Sequence, residues 1–112
     1  MRKTLLTVVS GMLMIPGLAG AQTFTNVPVV DTNCSTKVAS APDSHTRDCA
    51  LKCARSGFGI ITRDQGYLRF DQAGNKQILD ELKASDKTDH LRVDVTGDVQ
   101  GNTLKVKSVK LL

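Results

Sequence analysis

The chain has 112 residues, 40% of them hydrophobic, with a formal net charge of +4. That is the length of one domain with a small core. Arg2 and Lys3 supply two of the positive charges, and an excess of about +2 over the remainder is too slight to read as a nucleic-acid footprint. The aromatic residues Phe24, Phe58, Tyr67 and Phe70 are too few to build a base-stacking surface.

The first 21 residues have the three parts of a secretory signal peptide. Arg2 and Lys3 form a basic start, and an uncharged, mostly apolar run follows (LLTVVSGMLMI). Pro16 and Gly17 break it, and Ala19-Gly20-Ala21 fits the small-x-small cleavage rule. The apolar run is short of the roughly 20 residues a spanning helix needs. The expectation is export to a bacterial periplasm or the extracellular medium. A mature chain then begins at Gln22, forms a single domain over 22–112 and has no transmembrane segment.

Val27-Pro28-Val29-Val30 has strand character, with Pro28 suited to an edge or a strand start. The polar stretch 31–42 reads as loop. Asp43 and Ser44 look like caps of a helix over 44–55, which Gly57 would stop. Phe58-Gly59-Ile60-Ile61-Thr62 and Tyr67-Leu68-Arg69-Phe70 read as two strands joined at Asp64-Gln65-Gly66. A second loop follows, with Asn75 as the expected cap of a short helix carrying Ile78, Leu79 and Leu82. Leu91, Val93 and Val95 alternate with Arg92, Asp94 and Thr96, the pattern of a strand with one wet face. Gly101-Asn102 turns into a last strand, where Leu104 and Val106 share one phase and Val109 and Leu111 the other. A bulge near Lys107-Ser108 accounts for the switch.

Without the first helix, this order is three strands, a helix and a two-strand hairpin. The expected fold is therefore mainly β with two short helices (α+β). It resembles the OB-fold, a five-stranded Greek-key barrel, here with a cysteine-bearing helix inserted between strands one and two. The hairpin LRVDVTGDVQGNTLKVKSVKLL and the segments VVDTNCS and HTRDCALKCARSGFGI resemble those of small exported bacterial OB-like domains of uncharacterised function. That resemblance brings no activity with it.

The chemistry-bearing residues are Cys34, His45, Cys49 and Cys53. On a helix, His45, Cys49 and Cys53 would lie along one stripe, drifting about 40° per step. Cys34, in the preceding loop, would fold back onto that stripe. One reading is a metal site for zinc or copper drawn from Cys34, His45, Cys49 and Cys53. His45 and Cys53 would be about 12 Å apart along the axis, so the four would not all reach one ion. A second reading is a disulfide from Cys34 to Cys49 or Cys53, which pins the loop to the helix and leaves His45 as a surface or capping residue. A third is thiol redox chemistry, although Cys-x-x-Cys is missing and Cys49 lies about one turn into the helix. With three cysteines, one thiol is left over and is available for contact with another chain.

Lys105, Lys107 and Lys110 with Arg63, Arg69 and Arg92 read as solvated strand faces, and no nucleic-acid partner is expected. His90 lies in a charged loop and takes no role. Asp31 and Asp43 read as turn caps rather than ligands. No Ser/His/Asp set, paired-acid pocket or phosphate loop can be assembled. The expected function is an exported, disulfide-stapled binding or structural module of unknown ligand. A Cys/His metal-binding protein of the cell envelope and a thiol redox protein are the alternatives.

Overall fold

The computed structural model describes residues 20–64 and 66–112; the expected leader falls outside them up to residue 19. Five strands form the fold: β1 (Gln22–Asp31), β2 (Phe58–Ile61), β3 (Tyr67–Phe70), β4 (Arg92–Gln100) and β5 (Thr103–Leu111). They close into a barrel in the order β1-β2-β3-β5-β4. The fold class is the expected one, a mainly β, OB-like barrel with helical additions. Among the described residues there are three α-helices rather than two: α1 (Ser35–Val38), α2 (Arg47–Lys52) and α3 (Gln72–Ala84). Among the described residues no helix is long and apolar enough to cross a membrane.

β1 is the strand that closes the barrel. Its first part pairs antiparallel with β4 and its last three residues pair with β2, through Val29↔Ile60, Val30↔Gly59 and Asp31↔Phe58. The Val29 amide donates to Leu91 O on the β4 side. Alternation therefore turns the Pro28 position to the other edge, one residue before pairing with β2 begins, so its missing donor is not needed there. The strand starts five residues earlier than its apolar run. Gln22 to Phe24 are mostly exposed and follow the β4 register, and a shift between Phe24 and Val27 surrounds Asn26 at φ 52°.

The core is the barrel lumen and its helical plug. Phe58, Ile60, Leu91, Val93, Val95 and Leu104 are buried with Ile78 and Leu82 of α3. The alternation of β4 is thus a true inside–outside pattern. The bulge is where the β5 phase change required it: Thr96 pairs with Ser108 and Gly97 with Val106, leaving Lys107 as the extra residue.

α3 begins at Asp71, not at Asn75. The Asp71 side chain accepts from the Gly74 amide at 3.0 Å, and the Val106 amide also donates to it at 3.2 Å. Asn75, one turn in, instead accepts from the Phe58 amide at 2.8 Å. Farther along, Gln77 Oε1 accepts from the Val109 amide and Glu81 Oε1 from the Leu111 amide. β3 covers only Thr103 and Leu104 of β5. Beyond that point, α3 side chains take the amides that a neighbouring strand would otherwise take.

Gly74 brings α3 close to β5, because a Cβ there would run into the Val106 side chain. We expect Gly74→Ala to destabilise the fold by about 1–3 kcal/mol, since overpacking outweighs the helix propensity gained. Urea unfolding of the two proteins would measure it; equal midpoints would contradict the tight approach.

Candidate functional site

The segment 32–57 between β1 and β2 carries every cysteine. The Thr32 amide donates to Gly57 O at 2.8 Å, closing its base. Its far side is tied to the loop before β4: Arg47 N donates to Thr88 O and His90 N donates to Asp43 O. Arg92 grips Asp43 with two bonds, at 2.9 and 3.0 Å, and donates a third to Asn26 O. The guanidinium holds the Asp43 carboxyl below its ordinary range, chiefly through these hydrogen bonds.

The continuous helix expected over 44–55 is broken into pieces. A 3₁₀ turn occupies Pro42–Ser44, α2 follows and a second 3₁₀ turn covers Ala54–Ser56. His45 is extended (φ −72°, ψ 131°), and its amide closes the first turn onto Pro42 O. Thr46, not Asp43 or Ser44, is the N-cap, and its Oγ1 accepts from the Cys49 amide at 3.1 Å. Asp43 is committed to Arg92. Cys53 is the C-cap, and the segment ends at Gly57, whose φ of 84° suits glycine. With His45 before α2 and Cys53 at its end, the three-residue stripe does not form. The expected loop at 31–42 also contains a 3₁₀ turn (Thr32–Cys34) and α1.

The residues meet around a different centre. Asp31, the last residue of β1, is wholly buried. Its Oδ2 accepts from the Cys34 amide at 3.0 Å, capping the 3₁₀ turn, and its Oδ1 bonds His45 Nε2 at 2.7 Å. His45 is itself buried rather than a surface residue, at 7% exposure. One carboxylate oxygen of Asp31 and the sulfurs of Cys34 and Cys53 all lie within 4.8 Å of one another. Asn33 Nδ2 donates to Cys53 Sγ at 3.6 Å. Cys49 is exposed and stands apart from this group. All three cysteines carry free thiols in the structure.

The electrostatics disfavour thiolate at Cys34. Burial pushes that thiol above its ordinary value, and the neighbouring Asp31 carboxylate adds to the effect. Beside the group, Tyr67 OH bonds Thr32 Oγ1 at 3.0 Å and Val30 O at 3.2 Å. Burial raises its pKa to about 12, so it remains a neutral hydroxyl. Asp31 was legible as a cap but not as the partner of His45. The signal was its place at the end of the apolar run Val27–Val30, where a strand runs on into the core.

No family model matches this chain, and neither a curated protein nor a solved structure is similar enough to it to count as a match.

Two outcomes follow from this geometry. His45→Ala removes one of two side-chain and backbone partners from a wholly buried carboxylate and should cost about 3–5 kcal/mol, measured by thermal unfolding. An unchanged melting temperature would show that Asp31 does not depend on His45. Asp43→Asn should cost less than about 1 kcal/mol at neutral pH, because the Arg92 pair is partly exposed. The folded-state pKa of Asp43 is depressed, so its stabilisation is present above the ordinary value of 3.8 and is lost as pH falls through the lower folded value. The gap between wild type and variant should therefore close in acid; a gap that widens there would reverse the assignment.

Proposed function

We propose that this chain is an exported binding or structural module of the bacterial envelope, without catalytic activity, in which a Cys34–Cys53 disulfide staples the turn after β1 to the end of α2 within the 32–57 segment. The observation that carries the reading is the meeting of Cys34 and Cys53 beside Asp31, with Cys49 left outside. Of the two pairings open to Cys34, only the one with Cys53 joins groups already in the same cluster. The bond would close a loop of about 20 residues, worth about 3 kcal/mol through the unfolded chain. A domain of this size gains from such a link. The basic start, apolar run and small-residue cleavage pattern support export into a compartment where the bond persists.

The thiol redox alternative needs a readily ionised cysteine, and Cys34 is shifted the opposite way. Cys49, exposed on α2, is the thiol left for contact with a second chain. An open groove of about 620 Å³ runs along the middle of β1, between Asn26–Pro28 and Ile61–Arg63, and gives the barrel a concave face for a ligand.

Protein isolated without reductant should lack two hydrogens of its reduced mass and accept one alkylating group, at Cys49. Cys53→Ser should then lower stability by about 2–4 kcal/mol and Cys49→Ser by little. Three alkylated cysteines after mild oxidation, or a bond that includes Cys49, would remove the staple.

A further inference from the structure

We infer that, in its reduced state, the same cluster is a zinc(II) site: Asp31, Cys34 and Cys53 supply the ligands and His45 positions the carboxylate. The inference rests on the reading that Cys34 and Cys53 are the working pair, and it adds a second fate for their sulfurs.

The donors are nearly assembled. All three lie within 4.8 Å of one another. Zinc bonds of about 2.3 Å to sulfur and about 2.0 Å to oxygen place tetrahedral donors roughly 3.3–3.8 Å apart. A contraction of about 1 Å closes the difference, and rotation of two half-buried cysteine side chains supplies it. The carboxylate need not move. Each of its oxygens accepts one bond, from the Cys34 amide or from His45 Nε2, and each retains a lone pair.

The surroundings are those of an outer ligand shell. His45 holds the orientation of Asp31, and the Asn33 amide donates to Cys53 Sγ, where it would offset thiolate charge. Two thiolates with one carboxylate form a mixed soft and hard set. Zinc accepts both kinds, whereas copper(I) favours sulfur alone. Three protein ligands leave a fourth position, which opens towards solvent because Cys34 and Cys53 are only half-buried. Cys49 contributes nothing to the set.

Zinc and the disulfide exclude each other, since both draw on the same two sulfurs. With glutathione disulfide as oxidant, the zinc-bound thiolates give up two electrons and form the Cys34–Cys53 bond. Two glutathione thiols form, taking up two protons, and one zinc ion is released.

The test is zinc competition against a chromophoric chelator, using the purified chain under reductant. One zinc per chain is expected. Cys34→Ser and Cys53→Ser should each weaken binding by at least roughly 100-fold. His45→Gln should weaken it by about 10–100-fold. Cys49→Ser should bind like wild type. Cobalt(II) in place of zinc should show thiolate charge-transfer bands that vanish in the Cys34→Ser/Cys53→Ser double variant, with circular dichroism verifying that the variant is folded. Reduced, folded wild type that takes no zinc, or a double variant that holds it equally, overturns the site. Copper(I) bound in preference to any zinc overturns the metal assignment. The two readings fail separately: a Cys34–Cys53 bond on oxidation with no zinc in the reduced form sinks the metal site alone, and zinc binding with oxidation through Cys49 sinks the staple alone.

Discussion

The contact between Asp31 and His45 organises everything the inserted segment does. A carboxylate with no exposure is costly to bury, and it is tolerated only when its oxygens are engaged. Asp31 meets that condition by drawing on both sides of the insert. The Cys34 amide reaches it from the turn that leaves β1, and the imidazole reaches it from the chain returning towards α2. Two stretches of backbone with little apolar surface are thus held at one point on the barrel rim. The position of Cys34 follows from the cap, and that of Cys53 from the short helix that His45 and Thr46 launch.

This arrangement also bears on the chemistry of the sulfurs. A carboxylate beside a thiol opposes ionisation, so Cys34 is poorly suited to attack a substrate. The proposed staple and the proposed zinc site use one geometry under two redox conditions. In either case the barrel is the scaffold and the insert carries the chemistry, a division common where variable segments are mounted on a rigid frame.

Much of the barrel was readable from local pattern. The alternation of Leu91, Val93 and Val95 marks β4, and the phase change between Val106 and Val109 locates the bulge at Lys107. Such signals survive because a strand with one buried face leaves its period in the sequence. The insert was less legible for the opposite reason. Its helix is six residues long, with Ala50 as its buried residue, so no period can establish its ends. Asp43 and Ser44 are good caps by residue type, yet Asp43 is held by Arg92 and Thr46 takes the role. Asn75 was passed over for Asp71 in the same way, because it serves the Phe58 amide across the fold. In each case a distant partner outbid a local propensity. The spacing of His45, Cys49 and Cys53 suggested a shared face, but an extended residue at the first position and a helix end at the last separated them. That Cys34 lies near one member of the set was foreseeable only as an alternative between two.

The seam between β3 and β5 gives the barrel an unusual dependence on its helix. Strand pairing there covers two residues, and Asp71 at the N-cap of α3, with Gln77 and Glu81 within it, cover the amides of Val106, Val109 and Leu111. Those three amides belong to a strand by position but to a helix by protection. Their hydrogen exchange should follow the local opening of α3, not the fraying of β5. Along this seam the barrel wall is completed by a helix, not by a strand.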